Sequence, residues 1–239
     1  MNGGIDMNEV SSRLEMLIGE HSLEKLKNSH IAVFGVGGVG GYVLEALARS
    51  FVGEITVVDS DDVSVSNINR QILATVNTVG KRKVDVAKER VQSINPECKV
   101  NVYDMFFLPE NSQQIDFSCF DYIVDAIDTV SAKLELAKIS QQNNIPIISS
   151  MGTGNKLHPE MLEISDIYKT SVCPLARAMR SLCKKNGIRK LKVVYSKEEP
   201  KKTDALLNDN KKPVPSSSAF VPPAAGLIIA SCVVNDLIK

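Results

Sequence analysis

The chain of 239 residues is 44% apolar and 23% charged, which suits one α/β domain with an extension; a fold of this size buries roughly 70–75% of its unfolded surface. Its 28 basic and 28 acidic residues cancel, against unspecific nucleic-acid binding, and its five cysteines are widely spaced with no Cys-x-x-Cys pair, against both zinc ligation and a disulfide framework. Residues 1–15 are too polar to hold the apolar stretch of a signal peptide, so a cytoplasmic setting is expected.

Residues 7–28 place Val10, Leu14, Leu17, Ile18, Leu23 and Leu26 at helical spacing, which predicts a short arm or dimer element within a first segment, 1–28. The apolar run over 30–36 reads as a fully buried parallel strand. It is followed by a helix from 38 to about 50, a strand over 55–58, a helix over 81–94 stopped by Asn95-Pro96, and a strand over 99–103. Next come a strand over 120–124, a helix over 132–142 and a strand over 145–150. This alternation predicts a doubly wound, mostly parallel Rossmann-like α/β sheet over 29–155.

Beyond Gly154 the order changes. Strands over 157–164 and 190–195 flank a helix over 174–185, so 156–239 reads as a C-terminal strand and helix extension. On that helix Leu175, Met179 and Leu182 share one face and Arg177, Arg180 and Lys184 another. The stretch 197–218, rich in Lys, Pro, Asn and Ser, reads as a mobile loop. The apolar segment 224–238 is interrupted by Asn235 and Asp236 and falls short of the about 20 residues a membrane span needs, so a packed helix is expected.

The chemistry gathers at predicted strand ends. Gly35-Val36-Gly37-Gly38-Val39-Gly40 allows a tight turn that brings backbone amides to phosphate oxygens at a helix N-terminus. Asp59 falls at the end of the next strand, where an acceptor-only carboxylate can take both hydrogen bonds of a ribose diol, and Asp61 follows it. A nicotinamide-dependent oxidoreductase would use the same glycines and acid, but it leaves Arg70, Lys83 and Asp128 idle. A guanidinium grips two oxygens and an ammonium adds a point charge; together they offset charge on a pentacoordinate phosphorus and on departing pyrophosphate. Asp128, just past a strand end, is placed to hold Mg²⁺ between phosphate groups. Lys83 lies in the charged run Lys81-Arg82-Lys83 and can also be read as solvated surface. Cys173 precedes a predicted helix N-terminus, where a thiolate is favoured; a packed thiol is the other reading.

The glycine phrase, the tract Asp59 through Gln71 with its Asn67-Ile68-Asn69-Arg70-Gln71, then Val79-Gly80-Lys81-Arg82-Lys83 and Asp125-Ala126-Ile127-Asp128 resemble the family that activates ubiquitin-like and sulfur-carrier proteins by adenylation. The resemblance covers roughly residues 9–155. It implies ATP and Mg²⁺ as cofactors, Asp59 on the ribose, Asn67, Arg70 and Lys83 on the phosphates, and Asp128 on the metal. It also implies a homodimer in which Arg13 crosses onto the partner's nucleotide.

Asn67-Ile68-Asn69-Arg70-Gln71-Ile72, Ile94-Asn95-Pro96-Glu97-Cys98 and Asp125-Ala126-Ile127-Asp128, with Pro174-Leu175-Ala176 further on, bring the chain nearer to one branch, the tRNA threonylcarbamoyladenosine dehydratases, with the likeness weakening after about residue 175. That branch implies ATP-dependent loss of water from the threonylcarbamoyl group on the adenosine beside the anticodon. The missing zinc cysteines point the same way, as does the basic stretch 174–212, with twelve basic residues against four acids. Activation of the C-terminal glycine of a sulfur-carrier protein begins with the same chemistry and stays open here, with a sulfur-relay or carrier protein as a possible partner. A nucleotide-sensing scaffold without turnover is a further alternative.

Overall fold

A computed structural model describes residues 6–202 and 215–239. Along the chain run α1 (Met7–Ile18), α2 (Glu20–Lys27), β1 (His30–Phe34), α3 (Gly40–Arg49) and β2 (Glu54–Asp59). Then come α4 (Lys83–Ile94), β3 (Lys99–Asp104), β4 (Tyr122–Asp125), α5 (Val130–Asn143) and β5 (Ile147–Ser150). The chain finishes with β6 (Leu162–Asp166), α6 (Pro174–Lys185), β7 (Lys192–Ser196) and α7 (Val221–Leu237).

β1 is apolar along its length because both of its faces are covered. Ile31 and Val33 enter one core layer with α3, α4 and α7; Ala32 and Phe34 enter the other with α5 and α6. A parallel strand between helix layers requires such a run. The seven strands lie in the order β3-β2-β1-β4-β5-β7-β6, and among the described residues β6 alone is antiparallel, paired to β7. The 156–239 stretch therefore contributes two strands to the same sheet as the strands that precede the glycine turn and Asp128.

α7 packs across α3 at close range, since a Cβ on Gly226 would lie 2.4 Å from the Val39 carbonyl oxygen. Its far end is tied down by Asp236, which accepts from the Tyr122 hydroxyl at 2.8 Å and pairs with Lys192. Partial burial alone would raise the Asp236 pKa, but hydrogen bonds from Lys192, Tyr122 and Lys239 prevail and hold it down at about 2.

Several boundaries differ from the sequence reading for identifiable reasons. Gly19, at φ 82°, ends α1 and starts α2, so the arm is two helices. The strand expected from 157 begins at Leu162: the Leu157 and His158 N–H groups are captured by the buried Glu198 carboxylate at 2.9–3.1 Å, and Pro159 then opens a 3₁₀ turn. α7 starts three residues early because Pro222 and Pro223 sit in its first turn, where a missing N–H costs nothing. Of the expected mobile loop, 203–214 lies outside the described residues. Its flanks are anchored: Lys201 N–H donates to the Asn155 carbonyl at 2.8 Å, and Ser216 donates to Asn155 Oδ1 through N–H and hydroxyl at 2.7 and 2.8 Å.

Candidate functional site

β1 sends its chain onward to β2 on one side, while β4 lies on the other, so the sheet reverses its winding between β1 and β4. Ligands of doubly wound sheets bind in the crevice at such a point, beyond the carboxyl ends of the strands. A cavity of about 450 Å³ opens there.

Its floor is the β1–α3 turn. Gly35 adopts φ +84°, and a Cβ on it would lie 2.8 Å from the Ala126 carbonyl oxygen; one on Gly40 would lie 1.8 Å from the Gly35 carbonyl oxygen. Both positions admit only glycine. Among the described residues the N–H groups of Gly37, Gly38, Val39 and Gly40 make no hydrogen bond, and no side chain caps α3. Free amides at the positive end of a helix form an anion site.

Asp59, at the end of β2, is oriented by two backbone donors, Val36 N–H at 2.8 Å and Asp61 N–H at 2.9 Å. Lys83 opens α4 and is brought to the cleft by an antiparallel bridge between Asp62 and Arg82, with its own N–H on the Asp61 carbonyl at 3.0 Å. It is 5% exposed, and its Nζ lies 2.7 Å from the Asp61 carboxylate. The surface reading of Lys83 is therefore corrected. Its neighbour Arg82 takes the solvent side instead, pairing with Asp62 and Asp104.

Arg70 lays its stem over the glycine turn, with Cγ 3.5 Å from where a Gly38 Cβ would be, and donates from Nη1 to the Ser66 carbonyl and Asn69 Oδ1, both at 2.9 Å. Buried Asn67 accepts from Ser64 N–H at 3.1 Å, closing the 3₁₀ turn Val65–Asn67. Asp128 is exposed on the opposite wall after β4. Mg²⁺ is usually held by one or two carboxylates plus phosphate oxygens, and a single carboxylate on the same cleft as the free amides of the β1–α3 turn fits that donor set.

The structure thus brings together Gly35, Gly37, Gly38, Asp59, Asp61, Asn67, Arg70, Lys83 and Asp128 on one cleft. Gly40 sits behind the turn it permits, off the cleft wall. Arg13 is exposed on α1 and does not line the cleft of its own chain. Cys173 precedes α6 as expected but is 2% exposed and also off the wall, as a packed thiol would be.

Some of the lining was not assigned from sequence. Met105, Phe106 and Phe107 form an apolar wall directly after β3, where the carboxyl-end rule could have found them. Pro215, Ser216 and Ser217 roof the cleft from far along the chain, tied there by Asn69 Nδ2 on the Ser217 carbonyl at 3.1 Å. No local signal marks them.

The model of the ThiF family matches residues 11–239. A tRNA threonylcarbamoyladenosine dehydratase from Bacillus subtilis (strain 168) is 46% identical to this chain over 240 residues, covering 95% of the chain and 94% of that protein. Two crystal structures of the Escherichia coli tRNA N6-threonylcarbamoyladenosine dehydratase, one in complex with AMP and one with ATP, are similar with TM-scores of 0.88 and 0.85. Each is 33% identical and matches over 97% of this chain and 94% of that one. The similarity takes in the C-terminal strands and helices as well as the nucleotide cleft, and the chain belongs to the ThiF family.

Proposed function

We propose that this protein uses ATP to dehydrate N6-threonylcarbamoyladenosine in tRNA, activating the threonine carboxylate as an adenylate and closing it into a ring. The observation that carries this reading is the near full-length similarity to a dehydratase of that substrate, joined to a single cleft of about 450 Å³ lined by the free-amide turn, an arginine and a buried lysine.

A carboxylate is a poor electrophile because its charge repels attack and its oxygen leaves badly. Attack of one carboxylate oxygen on the α-phosphorus expels pyrophosphate and removes both problems. Arg70, Lys83 and the amides of the β1–α3 turn stabilise the charge that gathers on the transferring and departing phosphates. Asp59 holds the ribose, and the Met105–Phe107 wall suits a purine ring. Asp128 would hold Mg²⁺, which neutralises phosphate charge when bound. An atom of the carbamoyl group then attacks the activated carbonyl, and AMP leaves with the carboxylate oxygen. Because this second attack is intramolecular, proximity supplies the acceleration and no protein nucleophile is needed.

For the tRNA backbone, Arg177, Lys184, Lys185, Arg189 and Lys190 form an exposed basic surface on and after α6, and among the described residues none forms an ion pair. Arg180, expected on the same face, turns inward onto the Thr170 carbonyl and hydroxyl at 2.7 and 2.6 Å and is excluded from it. Exposed Val10, Met16 and Leu17 on α1 support a homodimer in which Arg13 reaches the partner's nucleotide. A tRNA substrate supports a cytoplasmic setting, and no described helix is long and apolar enough to cross a membrane.

Incubation with ATP, Mg²⁺ and tRNA bearing threonylcarbamoyladenosine, followed by digestion and mass spectrometry, is expected to yield a nucleoside lighter by one water. An unchanged nucleoside, together with pyrophosphate exchange stimulated by a glycine-tailed small protein, would replace this reading with carrier activation.

A further inference from the structure

Asp125, the last residue of β4, and Lys133, in the first turn of α5, are both fully buried at 0% exposure. Lys133 Nζ lies 3.0 Å from both carboxylate oxygens of Asp125 and donates to the Ile127 carbonyl at 3.0 Å. Asp125 Oδ1 accepts from Ile127 N–H at 3.2 Å, while the Ser149 hydroxyl donates to Oδ2 at 2.5 Å. Ile127 is thus gripped at its N–H and at its C=O, and the next residue is Asp128. On the other side Ala126 N–H donates to the Phe34 carbonyl at 2.8 Å, and the Ala126 carbonyl oxygen occupies the space a side chain on Gly35 would need, 2.8 Å from where its Cβ would be.

A dry ion pair is a poor source of stability, because desolvation offsets most of the attraction and an apolar pair of similar volume serves as well. What this pair does that an apolar pair could not is fix a backbone turn through both of its polar groups. The turn it fixes stands between the free amides of the β1–α3 turn and Asp128, the carboxylate that would hold Mg²⁺.

We infer that Lys133, acting with Asp125, is a positioning residue that sets the 126–128 turn so that Asp128 faces the metal-bound phosphates. The inference rests on the ATP-dependent reading above. Outer partners of metal-facing carboxylates typically govern metal affinity by about 10–100-fold.

The test is calorimetric titration of a non-hydrolysable ATP analogue, with and without Mg²⁺, into wild type and the double variant Lys133→Met/Asp125→Asn, which leaves no buried charge unpaired. The metal-free affinity is expected to match wild type, while the gain in affinity on adding Mg²⁺ falls by about tenfold. A merely structural role would weaken both titrations alike or neither. A folded variant with an undiminished Mg²⁺ gain overturns the inference. If the double variant does not fold, Ser149→Ala, which removes one hydrogen bond to Asp125, carries the test: a smaller loss of the same gain supports the inference and no loss overturns it. A wild-type protein that binds no analogue overturns the functional reading and this inference with it.

Discussion

Lys83→Ala is expected to slow AMP formation by about 10²- to 10³-fold, the loss typical when a preorganised group facing developing charge is removed. Lys83 is buried beside the phosphate turn, so its charge acts where water screens little. Its partner Asp61 has a side chain 63% exposed, so deleting the lysine leaves that carboxylate in water instead of stranded in the interior. The melting temperature should therefore stay close to wild type. Arg70→Ala is expected to behave alike, because its two hydrogen bonds lie at the surface. Arg70→Lys should recover only part of the rate, since an ammonium keeps the charge but loses the planar fork. Single-turnover measurement of labelled AMP beside thermal denaturation checks all three. Near wild-type AMP formation in folded Lys83→Ala would remove the lysine from the reaction.

Gly40→Ala should damage the protein differently, through the backbone. The added methyl would lie 1.8 Å from the Gly35 carbonyl oxygen, and that carbonyl cannot retreat freely because Val36 N–H, in the same peptide plane, is bonded to the Asp59 carboxylate at 2.8 Å. Forced contacts in a packed interior cost about 1–3 kcal/mol, or roughly 3–10 °C in a domain of this size. The start of α3 must shift, and the four free amides shift with it, so nucleotide affinity should fall by about tenfold or more. Gly37→Ala is the control: its methyl would meet nothing nearer than Gln71 Nε2 at 3.6 Å, an ordinary contact. It should melt close to wild type. Equal melting of the two variants would contradict the packing argument.

The parts of the molecule legible in sequence are those whose cause is local. The glycine turn, Asp59 at a strand end and the buried β1 each follow from a few consecutive residues, and the structure places them as expected. Features set by distant partners were not legible. Residues 157 and 158 read as strand because nothing near them reveals that Glu198 takes their amides. The Pro215–Ser217 roof depends on Asn69 and Asn155, and Arg180 is lost from the basic face because Thr170 holds it. Lys133 received no role from sequence, because its partner Asp125, eight residues earlier, is seen beside it only in the fold. In each case the residue type was visible and the partner was not.

The proposed dehydration requires direct transfer of a substrate carboxylate oxygen to the α-phosphorus of ATP. The most direct measurement is an isotope transfer, with tRNA whose threonylcarbamoyl carboxylate carries ¹⁸O, converted by the protein with unlabelled ATP in unlabelled water. One labelled oxygen is expected in AMP for each substrate dehydrated, and none in pyrophosphate. Label in inorganic phosphate, or dehydration with no label in AMP, would contradict adenylation and move the chemistry away from the α-phosphorus.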